Sequence, residues 1–128
     1  MNEPTFTGLV CECVPGSYET KKSVLDPETG TYHDVTESHP TVRLRLGTAE
    51  YIPQSLRLDL RGAMAEELIA YDPCQGEPQL CTAYLHFTTY TYSEGNGSEK
   101  LCQRIQTWRL DFFDRQSGQL LKTITRPM

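Results

Sequence analysis

Two stretches in the middle of the chain alternate apolar and polar residues without a break. They are Val42-Arg43-Leu44-Arg45-Leu46 and Leu56-Arg57-Leu58-Asp59-Leu60-Arg61. Successive side chains of a strand point to opposite faces, so a period of two predicts strands with one buried and one wetted face. An amphipathic helix would space its apolar residues by three and four instead. The expected core therefore holds Val42, Leu44, Leu46, Leu56, Leu58 and Leu60, with Arg43, Arg45, Arg57 and Arg61 in solvent.

Turn signals divide the rest of the chain. Pro15-Gly16, Asp26-Pro27-Glu28-Thr29-Gly30, Asp72-Pro73, Gly95-Asn96-Gly97 and Asp114-Arg115-Gln116-Ser117-Gly118 punctuate it at short intervals. Short strands between such signals describe a sandwich or a barrel. Leu25–Gly30 and Phe113–Gly118 share one pattern: an apolar residue, Asp, two variable residues, a hydroxyl residue and Gly. In such a tip the Asp carboxylate accepts from turn N–H groups, and Gly takes a positive φ. Early strands are expected over Thr5–Val14, Tyr18–Leu25 and Thr31–Thr36. Leu80–Tyr92 should form the longest hairpin with Lys100–Phe113, and Gln119–Arg126 should pair back onto Trp108–Phe113. Ala63–Ala70, rich in helix formers, predicts the one short helix. The expected fold is mainly β: a single domain over residues 1–128, an antiparallel β-barrel or β-sandwich with at most one short helix.

Charge and length narrow the classes. The chain has 128 residues and a formal net charge of −5, which opposes general nucleic-acid binding. A domain of this size can bury a sizeable core without metals or disulfides. No apolar run is long enough to cross a membrane, and Met1–Gly8 carries no basic-then-apolar leader. These features predict a soluble acidic domain. A cytoplasmic location is favoured, and a chain whose leader has been removed fits as well.

Five cysteines, Cys11, Cys13, Cys74, Cys81 and Cys102, raise the question of metal or disulfide. Cys11 and Cys13 on one strand would point to opposite faces unless the strand bulges. A zinc site from Cys74, Cys81, Cys102 and one of Cys11 or Cys13 matches no familiar knuckle spacing. Buried free thiols are the favoured reading, with Cys74–Cys81 the first choice for a disulfide in an oxidising compartment. No metal or cofactor is expected. His33-Asp34 and Glu37-Ser38-His39 could build an acid–base or metal site, but the stretch ends at Pro40 and reads as an exposed connection. No nucleophile elbow, phosphate-cradling loop or His-Glu-x-x-His motif is present, and no family signature is recognised. Asn96-Gly97-Ser98 is a glycosylation triplet that matters only in a secretory pathway.

The most suggestive pattern is a polar-aromatic stripe. Tyr84, His86, Thr88, Tyr90 and Tyr92 share one face of their strand, and Arg104, Gln106 and Trp108 share one face of the next. Pairing symmetric about Asn96 brings the two sets together, and a one-residue slip separates them. Rings supply rigid contact area and the polar groups supply directional bonds. Ordinary strand residues covering a core give the same pattern, and by residue type alone that reading stands ahead. The expected function is a non-enzymatic binding or interaction domain. Tyr84, His86, Tyr90, Arg104, Gln106 and Trp108 would meet a protein, peptide or small-molecule ligand. The alternatives are a small barrel holding an apolar or aromatic ligand inside, and a small enzyme or metalloprotein built on Cys and His.

Overall fold

A computed structural model describes residues 4–49, 51, 53–93, 95 and 97–127. Alternation of apolar and polar residues shapes six strands, β1 (Thr5–Leu25), β2 (Tyr32–Gly47), β3 (Ser55–Arg61), β4 (Leu80–Ser93), β5 (Glu99–Phe113) and β6 (Leu120–Thr125). One helix, α1 (Gly62–Tyr71), joins β3 to β4. The strands form one antiparallel sheet in the order β3-β2-β1-β4-β5-β6. The edge strands β3 and β6 do not pair, so the sheet is not closed into a barrel. Closure depends on strand tilt and stagger around the whole sheet, which local alternation does not encode.

Two long hairpins organise the sheet. β1 pairs with β2 along Leu9–Leu25, and β4 pairs with β5 over its whole length. The two hairpins meet only where Thr5–Leu9 of β1 lies against Leu80–Tyr84 of β4. Beyond that seam they run in opposite directions. Gly8 also lies close against the end of β2, where a Cβ would stand 2.7 Å from the Gly47 carbonyl oxygen. Only glycine permits that spacing.

The predicted break at Pro15-Gly16 is absent. β1 is one strand of 21 residues, and Pro15 and Gly16 stay in register opposite Val42 and Thr41. β4 flanks only the first few residues of β1, so around Pro15 the strand has a free edge, where a missing N–H breaks no ladder. Pro40 sits likewise just past the point where β3 leaves β2. The stretch from His33 to Pro40, expected as a connection, is therefore strand.

The two matched tips fold alike. The Asp26 N–H donates to the Thr31 carbonyl at 2.8 Å, and the Gly30 N–H to the Asp26 carbonyl at 2.9 Å. The Asp114 and Gly118 N–H groups make the corresponding bonds, to Gln119 at 2.8 Å and Asp114 at 2.9 Å. Gly30 and Gly118 have φ of 70° and 74°, the left-handed conformation that glycine adopts without strain. In the third predicted tip, Asn96 lies outside the described residues, and with it the glycosylation acceptor.

The core lies on one face of the sheet. Val42, Leu44, Leu46, Leu58 and Leu60 are buried as expected, while Leu56 is only half-buried near the start of an edge strand. Leu110, Phe112 and Ile124 complete it from β5 and β6. Helix α1 presses Met64, Ala65 and Leu68 onto this face, one helical stripe of i, i+1 and i+4. It ends at Asp72, whose left-handed backbone sends its N–H to the Leu68 carbonyl, and the buried Pro73 stops continuation.

Candidate functional site

The register of the β4–β5 hairpin decides which side chains meet. His86 pairs with Gln106, Thr88 with Arg104, Tyr90 with Cys102 and Tyr92 with Lys100. Opposed residues share a face, so Tyr84, His86, Tyr90, Arg104 and Gln106 stand together on the side away from Cys81, Ala83 and Leu85. The Arg104 guanidinium lies over the Tyr90 ring, 5.6 Å from its centroid. Tyr90 and His86 are exposed, and Tyr84 and Trp108 are half-buried.

Trp108 reaches this face through a bulge. Tyr84 pairs with Arg109 and Leu85 with Thr107, so Trp108 is an extra residue on β5. Its ring meets Tyr84 at 5.5 Å between centroids, tilted by 52°. Arg109 covers the same Tyr84 ring at 5.0 Å. The result is a layered group of Trp108, Tyr84 and Arg109, with Arg104 on Tyr90 further along the hairpin.

The bulge also brings in residues that parity assigned to the other face. Asp111 is only 3% exposed, yet it stands outside the apolar core. Its Oδ1 accepts from Arg109 Nε at 3.0 Å and from Thr123 Oγ1 at 2.9 Å. Burial pushes the Asp111 carboxyl up, but these two bonds, the Arg109 charge and the Tyr84 hydroxyl outweigh it and hold the carboxyl below its ordinary range. The signal was present in the sequence. Leu110 and Phe112 follow Ile105 at odd offsets, so a regular strand could not bury Leu110 and Phe112 while keeping Arg104 and Gln106 outside with Tyr84.

The histidines do not gather. His33 and His39 share a face of β2, but they stand six positions apart along the strand, about 20 Å. His39 stacks on Tyr18 with centroids 4.9 Å apart, and its Nε2 is hydrogen-bonded to Thr20 Oγ1 at 2.9 Å. Arg61 covers the Tyr18 ring at 5.1 Å. Residue spacing gave no hint of this group, because its members come from three strands.

The five cysteines are all reduced. Cys74 lies near Cys13, and the two thiols influence each other's ionisation. The ladder shift between Val10 and Glu12 makes Cys11 a bulge residue, and this changes the expected alternation of Cys11 and Cys13. Burial, then the nearby Cys74 and Asp72, push the Cys13 thiol up to about 11. Burial, then Asp111, push the Cys81 thiol up further. Cys102 lies on the β4–β5 hairpin opposite Tyr90. Among the described residues no three His, Cys, Asp or Glu side chains are grouped to hold a metal ion. No helix among them is long and apolar enough to cross a membrane.

Comparison with protein-family models, with curated proteins and with solved structures found no match. The chain is placed by its architecture alone, as a mainly β domain with one open antiparallel sheet.

Proposed function

We propose that the domain is a non-enzymatic binding module that recognises a partner through the outer face of the β4–β5 hairpin. The observation that carries this reading is the pair of cation–aromatic layers, Arg109 on Tyr84 beside Trp108 and Arg104 on Tyr90. Stacking holds each guanidinium plane; Arg109 Nε already donates to Asp111, while Arg104 keeps its N–H groups for a partner's carbonyl or carboxylate. The rings supply contact area at little entropic cost, since an aromatic side chain has two rotors. His86 and Gln106, paired across the ladder and exposed, add polar contacts between the layers.

A selection from a random peptide library on the folded domain tests the reading. Selected peptides should lose about tenfold or more in affinity to the Tyr90→Ala and Trp108→Ala variants, as for central interface aromatics. Arg43→Ala, on the far hairpin, should bind them unchanged. Circular dichroism checks that each variant is folded. Failure to select any peptide, or selected peptides that ignore both Tyr90→Ala and Arg104→Ala, would overturn the reading.

A further inference from the structure

We propose that the cleft between β3 and β5 binds a small organic anion with an apolar body. β6 pairs with β5 only along Arg109–Phe113, so the edge of β5 at Arg104–Thr107 has no neighbouring strand. β3 is the other end of the sheet, and its outer edge is also free. The two edges approach each other and border an open cleft of about 530 Å³. That volume lies within the usual range of small-molecule sites.

Charge selects the ligand. Arg57 and Arg61 of β3, Arg104 of β5 and Arg126 after β6 all line the cleft. Among the described residues the one acidic lining residue is Asp59, which is already shared by Arg43 at 3.5 Å and Arg57 at 3.9 Å. Among the described residues no carboxylate lies within ion-pair distance of Arg61, Arg104 or Arg126. This concentration of positive charge stands in a chain whose formal net charge is −5. Arg61 and Arg104 each lie over a tyrosine ring, Tyr18 and Tyr90, which orients their guanidinium planes.

The cleft also has apolar walls. Its exposed apolar surface is Ile105, which is 42% exposed, while Leu58, Leu60 and Met64 lie almost fully covered behind it. An inorganic anion would leave Ile105 wet. A long polyanion would be repelled by the acidic remainder of the molecule. A carboxylate or sulfonate carrying an aliphatic or aromatic body satisfies both surfaces.

The test uses 8-anilinonaphthalene-1-sulfonate as a fluorescent probe on the folded domain. Decanoate should displace it, whereas 1-decanol and inorganic phosphate should compete much less well. Arg57→Gln and Arg126→Gln lie outside the peptide-recognition face, so they separate this proposal from the hairpin reading. Together they should weaken probe binding about tenfold or more, as loss of charged hydrogen bonds does. Ile105→Ser should weaken decanoate more than acetate. Lys122→Gln, on β6 outside the cleft lining, is the control for general loss of charge. Superimposable near-ultraviolet dichroism must accompany each comparison, and the single arginine variants serve if the double variant misfolds. Absence of probe binding overturns the proposal. So does equal competition by decanol or phosphate, or an unchanged affinity in the Arg57 and Arg126 variants.

Discussion

Arg109 and Asp111 stand two residues apart on β5 and join through a 3.0 Å bond from Nε to Oδ1, on the face opposite Leu110 and Phe112. With Thr123 they tie the outer surface of β5 to β6. The acid is buried while the guanidinium remains partly in water. Asp111→Ala should cost about 1.5–3 kcal/mol, the range for losing hydrogen bonds to a charged group. Urea melts of the variant and the parent at neutral pH measure it.

The same carboxylate gives an acid-sensitive contribution. Its folded pKa is depressed, so its stabilisation is present above the unfolded value and is lost as pH falls through the folded value. Asp114 adds in the same direction, because Ser117 and Gln116 backbone N–H groups donate to its carboxylate. The gap in stability between parent and Asp111→Asn should narrow on moving from pH 7 to the acid limb. A gap that stays constant down to the acid transition would separate Asp111 from the acid sensitivity of the fold.

Leu58 and Leu56 belong to one strand but different depths. Leu58→Ala should cost about 2–5 kcal/mol, because a buried leucine leaves a cavity as well as losing transfer energy. Leu56→Ala should cost clearly less, since part of its surface is already in solvent. Equal shifts in the denaturant midpoint would contradict the depth difference.

Gly30 and Gly118 should respond alike to substitution. A Cβ meets nothing within 4 Å at either position, so packing does not enter. Alanine there has to adopt a left-handed backbone, at about 1–2 kcal/mol. Thermal melts of Gly30→Ala and Gly118→Ala should fall by similar amounts, and asparagine should fall less at both.

The thiols should react in a set order. Cys11 is exposed, and Cys81 is buried with its ionisation suppressed. A thiol-specific disulfide reagent should label Cys11 first and Cys81 only after denaturation, because the thiolate is the nucleophile. With oxidised glutathione, one thiol of the Cys13–Cys74 pair attacks the small disulfide and releases one reduced glutathione. The other thiol then displaces the second glutathione and closes the protein disulfide. Mapping of peptides should find Cys13 linked to Cys74, at a rate that rises towards the elevated Cys13 pKa of about 11.

Local periodicity made much of the molecule legible. Val42–Leu46 and Leu56–Leu60 announced their inward faces, the two Asp-to-Gly turns announced their tips, and the β4–β5 register followed from its turn as far as the bulge before Tyr84. What it missed depends on neighbours in space. Pro15 looks like a break until it is known that β4 has already left that edge. His39 looks like part of a loop until Tyr18 is placed beside it. Cys74 looks closest to Cys81 along the chain, but the turn after α1 carries it to Cys13. The Arg57–Arg126 cleft is invisible in spacing because its walls come from three separate segments.

The narrow join of Thr5–Leu9 with Leu80–Tyr84 governs how the chain can assemble. Each three-stranded half, β1 to β3 and β4 to β6, is a meander built from contacts between sequence neighbours. The join couples residues as far apart as Thr7 and Thr82, whose hydroxyls meet at 2.8 Å. Loop-closure entropy makes such distant pairing slow compared with hairpin formation, so the halves should zip first and dock afterwards. Amides at the join should then exchange with solvent through an opening that leaves both meanders intact. At high protein concentration the same opening lets the first meander of one molecule dock on the second meander of another, a route to an exchanged dimer with no new interface.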